Sequence, residues 1–388
     1  MKDEISGGKQ STCPSGENYG RISSGKLTPE AQNAKPNLSV SDDGGHPQQQ
    51  DDAADVRKRG EAADARKRDE AVDVMKGILV LQMVLCHCIQ FFCDDANLTV
   101  HILRDYINLT TFSGFFFAFG VTSWYAYFRR PFRASIRRML RTAIRLLFAF
   151  WISSICYVGL KELRYFEPRQ IWLILSFQKY AGWSEFLASF FGVMVVGIVL
   201  FAVFQRINWL TVVILCAVSA ATTFLPRSAV TSPLAALFVG STQYTTFPVI
   251  SYLFYFAFGA WICKNQWKWK PWLFGMAVAG FLPEFYYYLR HCNLTDRFPP
   301  DLWFLAGGAL AVYLYFLLSQ KIRLRFLQEV GANSLFYLLV TNIVIFAFAG
   351  SKYKVYSVRY AVIFYLLLIA GTWYLQTLVR NVSHKEPV

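Results

Sequence analysis

The chain is short of charge. Only 16% of its 388 residues are Asp, Glu, Lys or Arg, and the acids are outnumbered, 25 to 39. Ordinary soluble domains carry about 25% charged residues. The first 70 residues contain no apolar run, so no cleavable signal peptide is expected and the first span must itself direct insertion. Basic and aromatic residues are not spaced along one face, which argues against nucleic acid as a partner despite the net charge of +14. The eight cysteines are scattered. Cys86-His87-Cys88 resembles a metal motif on paper, but on a helix neighbours point about 100° apart and cannot converge on one ion, so no metal is expected.

What the chain does have is apolar mass. It is 55% hydrophobic and 17% aromatic, with a mean hydropathy of +0.32. These values predict an all-α polytopic membrane protein. Apolar stretches at 72–92, 106–128, 142–160, 183–204, 208–225, 245–263, 271–289, 301–319, 331–350 and 358–380 make about ten spans, each long enough for a hydrocarbon core of about 30 Å. The apolar piece at 170–178 is too short to cross and reads as interfacial or re-entrant. Residues 1–52 read as a disordered cytoplasmic tail, 53–70 as a charged helical lead-in, 71–380 as the membrane domain and 381–388 as a short cytoplasmic tail. The lead-in repeats with period nine: Ala53-Ala-Asp-Val-Arg-Lys-Arg-Gly-Glu61, then Ala62-Ala-Asp-Ala-Arg-Lys-Arg-Asp-Glu70. Basic residues cluster in it, after the second span (Arg129 to Arg141), after the sixth (Lys264, Lys268, Lys270) and after the eighth (Lys321, Arg323, Arg325). Alternation puts all of these on one side, so both termini are expected in the cytoplasm of a cell membrane.

Ionisable residues inside spans are costly and normally face a protein interior or a water-filled cavity. His87, near the outer end of the first span, is the one histidine expected within the membrane. Lys76 lies eleven residues before it, which places both on one helix face about 16 Å apart along the axis. Asp73, Gln90 and Asp94 fall near the same stripe, and Asp94 is placed to orient the imidazole or meet a substrate. A histidine so placed suits general-base removal of a hydroxyl proton. The plainer alternative is a neutral histidine bonded to a neighbouring helix. Arg137, Arg141 and Arg145 repeat every fourth residue, with Arg138 beside them, in a ridge that dives into the third span. Such guanidinium forks suit phosphates, of anionic lipid headgroups or of a bound ligand. Gly114 and Gly120, in an aromatic run, permit close helix approach. Glu284, in the seventh span beside Tyr286, Tyr287 and Tyr288, is a candidate for binding substrate hydroxyls. Glu185 and Asp301 start spans, where helix N-termini favour acids anyway.

These pieces, in this order, resemble the integral-membrane acyltransferase-3 superfamily, including the heparan-glucosaminide acetyltransferase group. Lys76, Gly77 and His87 match its opening helix, Phe115-Phe-Phe-Ala-Phe-Gly120 its second, and Arg137-Arg-Met-Leu-Arg141 its arginine motif. Thr246-Phe-Pro-Val-Ile-Ser-Tyr-Leu-Phe-Tyr-Phe-Ala-Phe-Gly259, Phe298-Pro-Pro-Asp-Leu-Trp303 and Gly331-Ala-Asn-Ser-Leu are similar to later segments. There are departures: Thr341 stands where many relatives carry a second histidine, and Lys76 where arginine is commoner.

The resemblance implies transfer of an acyl group, usually acetyl, from cytoplasmic acyl-CoA to a hydroxyl of an extracytoplasmic or lipid-linked glycan. Acetyl-CoA is then a co-substrate, His87 the base with Lys76 beside its route, and Arg137, Arg138, Arg141 and Arg145 the holders of the coenzyme's phosphates. Membrane lipids, the acyl-CoA and the glycan acceptor are the expected partners, and self-association into a homo-oligomer is left open. Two other readings share the same residues. A proton-coupled transporter or flippase would use the polar stripe as a relay. A non-catalytic assembly protein would act through its tail.

Overall fold

The computed structural model describes residues 47–93, 97–163, 167–266, 269–351 and 356–383. The chain divides into two units, 1–56 and 57–388, and the site lies in the second. The tail expected at 1–52 lies outside the described residues apart from 47–52, which are helical, and so do 384–388.

Helix α1 (Pro47–Phe92) carries the lead-in and the first span as one element. Asn97 then caps α2 (Leu98–Ser123), its side chain accepting from the backbone N–H groups of Thr99 and Val100. A π-helical turn, Trp124–Phe128, extends α2. Helix α3 (Phe132–Cys156) ends in a second π-helical turn, Tyr157–Lys161. Next come α4 (Pro168–Leu175), α5 (Glu185–Val199), α6 (Phe201–Gln205) and α7 (Trp209–Thr222). Helices α8 (Pro233–Val239), α9 (Val249–Lys264), α10 (Pro271–His291) and α11 (Leu302–Ser319) follow. Helices α12 (Arg325–Ala332), α13 (Ser334–Gly350) and α14 (Val358–Ser383) close the chain. Among the described residues there is no strand, only an isolated bridge between Arg297 and Pro300.

A helix stands at each of the ten expected spans, and the interfacial piece is the short α4. By length and composition alone, however, four helical segments among the described residues suffice to cross a membrane: 70–92, 132–161, 302–319 and 358–382. A fifth is added if α12 and α13, bent by 80°, are taken as one span. Helices α5, α7 and α9 are apolar but shorter, with 10–17 residues each. Helix α2 is long enough, but it dilutes its phenylalanines with Thr110, Thr111, Ser113 and Ser123, all buried. Thr110 satisfies its hydroxyl locally on the Tyr106 carbonyl at 2.9 Å.

Two glycine contacts set the frame. Gly120 of α2 lies against the Phe256 carbonyl of α9, and Gly259 of α9 against the Phe117 carbonyl of α2; a Cβ at either would sit 2.0 or 2.1 Å from that oxygen. Near the start of the first span, Gly77 meets Leu327 of α12 and Gly331 meets Asp73 of α1 in the same reciprocal way. Around these crossings Phe116, Phe117, Tyr252, Phe256 and Phe346 are fully buried. Helix α14 is largely exposed, as a lipid-facing span would be.

Replacing Gly120 by Val therefore forces α2 from α9. We expect a loss of about 3 kcal/mol or failure to fold, at or beyond the upper end of overpacking costs. Gly371→Ala, where a Cβ meets nothing within 4 Å, is the neutral control. Thermal unfolding in detergent, followed by size-exclusion fluorescence, reads both.

Candidate active site

Helix α1 turns His87 inward, between buried Val84 and Phe91, and leaves the residue 8% exposed. The ring Nδ1 lies 2.9 Å from Asn342 Oδ1 of α13. The amide's other end fixes its sense, because Asn342 Nδ2 donates to the Trp183 carbonyl at 3.3 Å. A carbonyl oxygen can only accept, so Oδ1 must face the ring and Nδ1 must carry the proton. Nε2 is left with its lone pair. The Trp183 indole N–H in turn donates to Gln90 Oε1 at 2.8 Å, returning to α1 one turn beyond His87. Trp183 holds a φ of +62°, a left-handed conformation that costs a bulky residue about 1–3 kcal/mol and tends to cluster at functional sites.

His87 lines a cavity of about 440 Å³. Met83, Cys86 and Gln90 of α1, Asn108 and Thr111 of α2, and Glu185 and Phe186 of α5 supply three walls. Loop residues Trp183, Phe247, Arg297 and Phe298 close it. Arg297 is half-buried and clamped, its guanidinium 5.0 Å from the Phe247 ring centre and 4.7 Å from that of Phe298. Its Nη1 donates to Asn108 Oδ1 at 2.7 Å, an oxygen that also accepts from Cys86 Sγ at 3.4 Å. Burial pushes the Arg297 pKa down from its ordinary value, while nearby Cys86, Tyr252, Glu185 and Asp105 pull it back. Two polar atoms on this wall, Arg297 Nε and Glu185 Oε2, are buried with no hydrogen-bond partner. Gln90, Asn108 and Trp183 also border a wider recess of about 740 Å³, lined by Arg104, Asp105 and Tyr356, past the C-terminal end of the span. The cavity thus offers a lone pair, a clamped cation and a carboxyl to one small volume.

A model of the acyltransferase domain of the acyltransferase-3 type matches residues 69–377. The chain belongs to the acyltransferase-3 family. No curated protein and no solved structure matches it. The acyltransferase is accordingly a membrane enzyme that transfers groups other than amino-acyl groups, and every residue of the His87 cavity lies inside the matched region.

Of the other residues singled out from the sequence, Cys86, Gln90 and Glu185 also line that cavity, whereas Lys76, Arg137, Arg138, Arg141, Arg145 and Glu284 do not. Lys76 pairs with Asp73 at 2.6 Å, close to where α1 crosses α12. Between Lys76 and His87, Leu79, Val80 and Val84 are buried in the core, so the stripe drawn on the helix is interrupted by packed apolar side chains. Arg137, Arg138, Arg141 and Arg145 are all exposed on α3, with no buried partner for Arg141 or Arg145 among the described residues, while Met139 and Ala143 face inward. Glu284 is buried, but it accepts from the Thr295 backbone N–H at 3.0 Å and from the Thr295 hydroxyl at 2.7 Å, tying the loop before α11 to α10. Asp94 lies outside the described residues. No group of three or more His, Cys, Asp or Glu side chains suited to a metal occurs among the described residues.

Sequence reasoning missed Arg297, Asn108, Asn342 and Trp183, and took Glu185 for a helix-start acid. Two of them adjoin segments it did notice: Arg297 precedes Phe298-Pro-Pro, and Asn342 follows Thr341.

The tautomer argument makes Asn342 the residue that holds the proton on the His87 Nδ1. Asn342→Leu keeps the volume and removes both polar ends. We expect turnover to fall about 10- to 100-fold, the kinetic equivalent of a lost buried partner at about 1–3 kcal/mol, with the fold retained. Initial rates compared with the unfolding midpoint separate this from general destabilisation.

Proposed function

We propose that this acyltransferase moves an acetyl group from cytoplasmic acetyl-CoA to a hydroxyl of an extracytoplasmic or lipid-linked glycan, with His87 as general base. The observation that carries the reading is the His87 ring itself. Its Nδ1 is committed to Asn342, and the ring borders a cavity large enough for a reacting carbonyl and an alcohol. A histidine serving only to satisfy a neighbouring helix would gain nothing from that cavity.

The chemistry follows from this geometry. Nε2 takes the proton of the acceptor hydroxyl as its oxygen attacks the thioester carbonyl carbon. The carbonyl π pair moves onto oxygen. Collapse of the tetrahedral intermediate reforms the C=O bond and expels the coenzyme A thiolate, which receives the proton from the imidazolium. Asn342 keeps the ring in one tautomer throughout, so no reorientation is needed between the two transfers. Direct transfer needs no acyl-enzyme.

The acceptor's approach is through the wider recess, where Trp183 offers an aromatic edge and Gln90, Asn108, Arg104 and Asp105 offer hydrogen bonds to a polyol. The donor comes from the side of the chain termini. Arg137, Arg138, Arg141 and Arg145, being exposed, are free to fork onto the phosphates of coenzyme A or of lipid headgroups. Transport by a proton relay along α1 is the weaker reading, because Leu79, Val80 and Val84 occupy the turns such a relay would cross.

His87→Ala tests the proposal in purified protein reconstituted into vesicles. With radiolabelled acetyl-CoA, incorporation into glycan should fall at least about 100-fold, in keeping with the worth of a general base. The unfolding midpoint should stay near that of the wild type. Undiminished acetylation by a folded variant would remove His87 from the mechanism.

A further inference from the structure

Resting on the reading of His87 as base, we infer that Arg297 is a second catalytic residue: its guanidinium stabilises the negative charge that develops on the thioester carbonyl oxygen.

Arg297 shares the cavity with His87, so a carbonyl between them meets the base-activated oxygen on one side and a cation on the other. Its orientation is fixed before any ligand arrives. The rings of Phe247 and Phe298 lie against it at 5.0 and 4.7 Å, and Asn108 holds Nη1. Donors held in place in this way gain most where charge appears during the reaction, because they need not reorganise.

The lack of a carboxylate in direct contact distinguishes this role from ordinary salt bridging. Among the described residues Arg297 forms no ion pair. Asp105, the acid on α2, is engaged through Oδ1 with Arg104 at 3.3 Å. A resident carboxylate would neutralise the guanidinium and weaken its pull on an oxyanion. Permanent binding of an anionic group on the acceptor fits less well, because Glu185 Oε2, buried and unpartnered, stands on the same wall. A fixed anion would be repelled by that carboxyl once ionised, and the oxyanion stage in turn requires the carboxyl to be in its neutral form. A neutral thioester and a neutral alcohol, with charge only in passing between them, suit the pair. In each turnover the carbonyl π electrons move onto oxygen as the new C–O bond forms. The oxyanion accepts from Arg297, the C=O bond reforms as the C–S bond breaks, and the proton taken by His87 passes to the departing thiolate. Arg297 neither gains nor loses a proton.

The test uses the full chain in lipid nanodiscs, with acetyl-CoA as donor and a high concentration of methyl glucoside as acceptor, following thiol release and O-acetyl product. Arg297→Gln is expected to lower kcat by about 10²–10³, the usual cost of losing an oxyanion donor, and to leave both KM values within about twofold. Arg297→Lys should fall between, keeping charge without the fork. Free guanidinium ion should restore part of the activity of Arg297→Ala, which loss of a merely structural contact would not allow. An unchanged kcat in Arg297→Gln overturns the inference. So does a loss carried wholly by the acceptor KM, which would make Arg297 a binding group. So does a loss that guanidinium does not rescue and that tracks a lowered unfolding midpoint. His87→Ala in parallel keeps the two claims apart: an inactive His87 variant beside an active Arg297 variant sinks only the arginine, while an active His87 variant sinks the reading beneath it.

Discussion

One carboxamide organises the site. Asn342 has a donating end and an accepting end, and the Trp183 carbonyl can take only the donor. That leaves the oxygen for His87 and decides which imidazole nitrogen carries the proton. The same tryptophan reaches back to Gln90 through its indole, so α13, the strained loop before α5 and α1 are tied into one short circuit. The surrounding hydrogen bonds leave the imidazole no other tautomer. Such a network, once satisfied, is rigid, and losing one member leaves buried polar groups unpaired.

The frame serves that circuit. Reciprocal glycine contacts bring α2 against α9 and α12 against α1 with backbones touching. Close approach between apolar helices is gained through small residues, since lipid offers no hydrophobic drive of its own. With the helices locked, the loops before α5, α9 and α11 have fixed anchor points, and each contributes to the cavity wall. Glu284 belongs to this scaffold: its grip on Thr295 pins the loop that carries Arg297.

The all-helical character and the inward-facing histidine were legible in the sequence, because hydropathy and helical spacing depend on neighbours along the chain. Span count was less so. Helix α2 buries hydroxyls that lower its hydropathy, and α5, α7 and α9 are shorter than their apolar runs suggest. The cavity's other members were illegible for a different reason. Arg297 lies 210 positions from His87 and Asn342 lies 255 away, so no spacing rule connects them. Trp183 looked like one aromatic among many until its φ and its two hydrogen bonds were known. Conversely, Lys76 shares a helix face with His87 on a wheel, yet packing gives it to Asp73.

The central claim is that acyl transfer occurs in the cavity His87 shares with Arg297. A structure of the full protein bound to a non-transferable thioether analogue of acetyl-CoA tests it most directly. The account predicts the analogue's carbonyl inside that cavity, within hydrogen-bonding reach of the Arg297 guanidinium and with the His87 Nε2 open beside it. An acyl end resting elsewhere in the protein, with the cavity unchanged and His87 untouched, would contradict it.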